Sequence, residues 1–520
     1  MVRARLEIGK LQRRLWQRQK QLISRSVLDA GAAFRAYEAR YLRRVRDFAR
    51  EASHAELLQQ IAKAGIVYVG DYHTLKQSQR SFLKLLQARS NKRPVVLALE
   101  FVQGRHQAAV DAWLAGRLTK DRFLAAIDYS RHAFDTWPHF EPIFDEARKR
   151  GIPIVAIDLA ATSLTARDEY AARRIADAAR AHPDAQILVL AGQLHVAPPH
   201  LPAAVARRVP ALEPLVVYQN CERIWWSLQR DHRELEAHAC LVRKGEYCLI
   251  NTPPVVVQQS YLDWIEGGVE PLDGAHPEAR FRFLARTIAR FLGLDSRAFR
   301  EALAHVAVYT AGDLSFLDTL PVSAKERRQI EQQILSRESY YIPRARIAYL
   351  ANLSVNHAAE EAAHFVRNVV SGAGDEPRNL ADAFYARALE EAYAFCGSKI
   401  VNPRRKCPHE PQFERLRKSS DAFTRQVARA VLAHRAAETN GRSRATGYLS
   451  KAGPALFNAV THSLGYMLGE RLYYALATGV CSKSYVRELF LDALDEEGEP
   501  FAVYMQLSRR LAGVRIPKRV

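Results

Sequence analysis

Cysteine is scarce in this chain. Six residues in 520 form no CxxC pair and no zinc-finger spacing. That excludes a disulfide framework and reads as reduced thiols. Long apolar runs are missing too, with nothing near the ~20 residues of a membrane span. The opening segment MVRARLEIGKLQRRLWQRQK has charge but no apolar core and no small-residue cleavage site. The expected compartment is therefore the cytoplasm. There is no GxGxxG, no Walker loop and no GxSxG elbow, which sets aside nucleotide-binding and serine-hydrolase classes. Acidic residues are outnumbered, 56 against 76 basic ones, for a net charge of +20. Residues 1–50 hold 14 Lys/Arg and 4 Asp/Glu, so half the excess lies in the first tenth of the chain. Such a segment suits an anionic surface or a protein partner. No aromatic–basic interleaving or nucleic-acid motif accompanies it, so nucleic acid is not the expected partner.

What is present is ordinary globular composition, 48% hydrophobic and 25% charged, enough for two to four domains. Residues 1–52 read as a basic amphipathic helical arm. Phe34, Tyr37, Tyr41, Val45 and Phe48 form its apolar stripe. Residues 53–272 alternate short continuous apolar runs with helical segments. The runs are Ile66–Val69, Pro94–Leu99, Ile152–Ile157, Ile187–Ala191 and Leu215–Tyr218. This is the pattern of an α/β domain with a mostly parallel sheet flanked by helices. Ala239–Val242 and Tyr247–Ile250 read as a hairpin. Residues 273–520 read as an all-α domain, in which Leu456–Ala477 is a buried helix because His462, Glu470 and Arg471 interrupt it.

In open α/β sheets ligands bind beyond the carboxyl ends of the strands. Four strand ends here carry polar side chains: Gly70-Asp71-Tyr72-His73, Glu100, Asp158 and Gly192-Gln193-Leu194-His195. Two imidazoles and three carboxylates at one edge suit a divalent metal or acid–base chemistry. The metal ligands would be His73, Glu100 and His195. In a hydrolase, Glu100 or Asp71 would act as general base on a bound water. Arg167 could fork onto an anionic ligand, or simply pair with Asp168 or Glu169.

The runs VYVGDYHT, PVVLALEFV, WLAGRL, Trp137-x-x-Phe140-x-Pro142-Ile143, GIPIVAIDL and VLAGQLH keep their order over residues 60–260. In this respect the chain resembles the ChaN-like branch of the haem-uptake/Tiki superfamily. The resemblance implies a pocket of Gly70, His73, Glu100 and His195. It also implies a small-molecule ligand, haem or another iron-containing one, with metal-dependent peptidase activity as the alternative. Tyr72, Asp158 and Arg167 would complete the pocket and Trp137 would be an apolar wall. The haem-ligating tyrosine of that branch is open between Tyr72, Tyr129, Tyr170 and Tyr218. The chain departs from the branch at Asp71, where Glu is usual, and at Lys76–Gln79, where a His-His pair is common.

In the helical half, His357, Glu361 and His364 fall on one helix face at i, i+4 and i+7. They are a second, weaker metal candidate with the Glu-x-x-His spacing of bundle sites. A non-catalytic scaffold, built on this half and the basic helix, is the remaining reading. The loop Asn402–His409 reads as a solvated basic connection able to hold an anion.

Overall fold

The structure, a computed structural model, describes residues 2–26, 31–89, 93–129, 136–161, 163–268, 277–310, 313, 315–320, 322–335, 339–351, 354–373, 378–439 and 453–517. The expected boundary at 272/273 lies outside the described residues. The chain divides into two compact units, one of residues 23–267 and one of residues 1–22 with 268–517.

The first unit is built on an eight-stranded sheet. Its strands are β1 (Arg50–Ala52), β2 (Ile66–Asp71), β3 (Val95–Gln103), β4 (Ile154–Asp158), β5 (Gln186–Gly192), β6 (Pro214–Gln219), β7 (Ala239–Arg243) and β8 (Glu246–Leu249), in the order β1-β7-β8-β6-β2-β5-β3-β4. The pairs β8–β6–β2–β5–β3–β4 are all parallel. β7 pairs antiparallel with both β8 and β1, so the sheet is mixed with one reversed strand. That strand is half of the hairpin expected from its short Lys-Gly turn. β2 and β5 are buried along almost their whole length, which is why their apolar runs do not alternate.

β5 inserts between β2 and β3, and β6 lies on the other side of β2. The chain thus reverses its direction of sheet growth about β2, the topology at whose carboxyl ends doubly wound sheets bind their ligands. Gly70 closes this point tightly. A Cβ on it would sit 1.9 Å from Gln193 Oε1. Gln193 Nε2 donates to the Gln219 carbonyl at 2.7 Å, and Gln219 Nε2 donates to the Gly70 carbonyl at 2.7 Å. Gly70 therefore lets two buried glutamines stitch β2, β5 and β6 together.

In the second unit the helix Leu380–Val401 is buried along most of its length, against the helices Pro454–Thr478 and Val355–Ser371. The expectation of an all-α domain needs correction. β9 (Ala307–Thr310), β10 (Tyr340–Ile342) and β11 (Ile347–Leu350) make a small mixed sheet in the order β10-β11-β9. These strands are three or four residues long, too short for periodicity to separate strand from helix. The basic arm is two helices, Val2–Ser26 and Gly31–Arg44. Among the described residues no helix is long and apolar enough to cross a membrane. All six cysteines are buried and unbridged.

The helices of the second unit approach closely through small residues. A Cβ on Gly469 would lie 2.3 Å from the Ala392 carbonyl oxygen. Backbone cannot yield as a flexible side chain can, so Gly469→Ala should destabilise this unit by about 1–3 kcal/mol. Denaturant unfolding of wild type and variant measures this; equal midpoints would contradict the packing.

Candidate functional site

The C-terminal ends of β2, β3, β4 and β5 bring six of the expected residues into one polar cluster. Asp71 ends β2. Its Oδ2 lies 2.7 Å from His73 Nδ1, and its Oδ1 accepts a 2.6 Å hydrogen bond from Gln79 Nε2. Gln79 stands in the segment where the resembling branch commonly has its His-His pair, and here it anchors the carboxylate. Glu100 lies within β3. Its Oε1 is 2.6 Å from Arg167 Nη2 and 3.4 Å from His195 Nε2, while its Oε2 accepts the Gly192 amide. Arg167 also forks onto Asp158 Oδ1, at 2.7 Å from Nη2 and 3.0 Å from Nε. It does not pair with Asp168 or Glu169, as a surface arginine at a helix start would.

His195 Nδ1 lies 2.6 Å from Asp168 Oδ1, and the other oxygen of Asp168 accepts the Tyr37 hydroxyl at 2.7 Å. Both histidines thus hold a carboxylate on Nδ1. Gly192 is where they meet. A Cβ there would lie 3.3 Å from Glu100 Oε2, 3.4 Å from His195 Cδ2 and 3.6 Å from His73 Nε2. The missing side chain lets three functional groups from three strand ends crowd one spot.

Electrostatics follow from this geometry. Burial opposes charge on His73, but the Asp71 carboxylate and Glu100 outweigh it and raise its pKa to about 9. Burial would raise Glu100, yet His195, Arg167, His73 and the Gly192 amide hold it down at about 2. His195 is likewise raised, against burial, by Glu100 and Asp168. Asp71 and Asp158 are raised, chiefly by burial. Basic and acidic groups therefore alternate through the cluster. His195 is nearly enclosed, with 9% of its side chain exposed, whereas His73 keeps 29%. His73 is thus the more exposed of the two imidazoles.

Two expected residues lie elsewhere. Trp137 is buried in the apolar core among Phe101, Trp113, Phe123 and Phe144, so it is no pocket wall. Tyr72 turns toward Tyr41 and Cys221. Of the other tyrosines, Tyr129 receives the Trp137 amide, Tyr170 packs on Gly104, and Tyr218 donates to Glu246. Three participants escaped the sequence reading. Asp168 stands beside Arg167 and passed as its partner. Gln79 is one turn into a helix. Tyr37 comes from the Gly31–Arg44 helix, where it had been assigned only to the apolar stripe.

In the second unit His357, Glu361 and His364 line a cavity of 350 Å³ with Arg387, Glu391 and His462. Glu391 is the hub, 2.6 Å from Arg387, 3.2 Å from His462 Nδ1 and 3.7 Å from His364 Nε2. Burial raises Glu361 to about 8.

The structure is thus an open, mostly parallel α/β sheet with two carboxylate-anchored imidazoles and a forked arginine at its carboxyl edge. Residues 57–166 match the family described as haem-binding uptake, Tiki superfamily, ChaN. This segment is about a fifth of the chain and holds Asp71, His73, Glu100 and Asp158. The chain is also similar to a solved structure of ChaN from Campylobacter jejuni, described as showing cofacial heme binding. That likeness is 14% in identity with a TM-score of 0.30, over 38% of this chain and 92% of that one. No curated protein matches the chain.

Because the folded pKa of His73 lies above its usual 6.5, the ion pair with Asp71 contributes stability fully below pH 6.5. That contribution is lost as pH rises through about 9. Asp71→Asn should drop the His73 pKa below 6.5, since burial then acts with less opposition, and flatten stability between those limits. Histidine NMR titration and denaturant unfolding across this window check it. A wild-type His73 titrating near 6.5 would refute the assignment.

Proposed function

We propose that the α/β unit binds haem, or a similar iron-containing small molecule, at the carboxyl edge of its sheet. The observation that carries this is His73. It lies in the segment that matches the haem-binding-uptake family, its Nδ1 is held by Asp71, and its Nε2 is turned toward Gly192. Metal-ligating histidines generally hold a carboxylate on the other nitrogen, which fixes the tautomer and raises basicity. Nε2 thus fits an iron ligand once binding displaces the proton that it holds below a pKa of about 9. Bound haem would supply the iron, His73 would face it, and Arg167 offers a cation to a carboxylate-bearing ligand. Asp71 orients His73, while Glu100 and Asp158 hold Arg167.

The hydrolase alternative gains no support from the same residues. Both oxygens of Glu100 are engaged, and a carboxylate held at about 2 is poorly matched to proton abstraction near neutral pH.

Haemin titration of the purified chain should give saturable binding with a shifted Soret band. Asp71→Asn should weaken it about 10–100-fold, as loss of an orienting partner does, and His73→Ala should abolish the shift without unfolding the protein. Unsaturable absorbance in wild type, or an unchanged spectrum in His73→Ala, would overturn the proposal.

A further inference from the structure

The loop Asn402–His409 is not the solvated connection its charge suggests. Arg405 is buried against Glu360, and Cys407 is buried as well. Cys407 and His409 meet Glu470 of the helix Pro454–Thr478. Cys407 Sγ lies 3.2 Å from Glu470 Oε2, His409 Nε2 lies 2.8 Å from the same oxygen, and Sγ and Nε2 are 3.7 Å apart. We propose that Cys407, His409 and Glu470 form a binding site for a borderline divalent transition ion such as zinc. The site lies in the second unit and shares no residue with the sheet edge.

The spacing supports this. Zinc bonds of about 2.3 Å to sulfur and about 2.0 Å to nitrogen or oxygen, in a tetrahedron, put ligand atoms roughly 3.3–3.6 Å apart. The observed separations of 3.2, 2.8 and 3.7 Å each lie within about 0.5 Å of those distances, so small side-chain shifts would admit the ion. The donor set excludes calcium and magnesium, which take oxygen ligands.

The surroundings also fit. Lys399 Nζ holds the other Glu470 oxygen at 2.9 Å and is itself fixed by the carbonyls of Pro403 and Arg405. That directs Oε2 to the cluster. His409 Nδ1 points away from the cluster, 4.0 Å from Glu410 Oε2. Glu470 is buried and His409 keeps 19% of its side chain exposed, so access is from the histidine side. Three protein ligands leave one tetrahedral position to water or a small ligand.

A hydrogen-bond network alone does not account for the cysteine. A thiol is a weak donor, and a hydroxyl would serve a carboxylate better. Binding converts the thiol to a thiolate and releases its proton to solvent.

The test uses the full chain, stripped with chelator and titrated with cobalt(II). One equivalent should bind with a thiolate-to-cobalt charge-transfer band, and zinc should bleach it. Cys407→Ser keeps a donor to Glu470 and should lose the band while leaving thermal unfolding of the metal-free protein unchanged. Zinc should also protect Cys407 of wild type from iodoacetamide, read by peptide mass mapping, which needs no variant. Absence of the band in wild type, its persistence in Cys407→Ser, or alkylation of Cys407 at the same rate with and without zinc would each overturn the proposal.

Discussion

The buried Glu100 carboxylate is the constraint from which the sheet edge is organised. A charge taken into a poorly solvated site is tolerated only when paired and hydrogen-bonded. Glu100 meets that demand with the Arg167 guanidinium, the His195 imidazole and the Gly192 amide. Each partner then needs its own counter-charge. Arg167 takes Asp158, and His195 takes Asp168, whose second oxygen takes Tyr37. The network draws in β3, β4, β5, the helix Leu164–Ala181 and the helix Gly31–Arg44. Truncating one member would strand a charge, so these residues stand or fall together.

His73 occupies a different position in the same field. It is paired with Asp71 and feels Glu100, but more of its ring is exposed than that of His195. The cluster thus divides into an enclosed part around His195 and Glu100 and a more exposed part at His73. Gly192 links the two by giving both rings and Glu100 a common approach.

Much of this was legible in the sequence. The continuous apolar runs gave the parallel strands because strands buried on both faces need no alternation. The polar residues just after them marked the edge, and Asp71, His73, Glu100, Asp158, Arg167 and His195 do converge. Trp137 misled because a tryptophan near a candidate site reads equally as wall or as core, and only the packing of Phe101 and Phe123 around it decides. Asp168, Gln79 and Tyr37 were hidden because their roles depend on long-range approach: Tyr37 and His195 are 158 residues apart. The short strands of the second unit carry no periodicity. The charge of the 402–409 loop pointed to solvent because its buried partners, Glu360 and Glu470, lie on distant helices.

We propose that the carboxyl edge of the sheet is a ligand site at which His73 meets iron. Crystals of the haemin-saturated protein, measured at the iron absorption edge, test it most directly. An anomalous iron peak within bonding distance of His73 Nε2 is the result this account predicts. Iron bound at stoichiometric occupancy elsewhere, with the His73–Asp71 pair undisturbed, would contradict it.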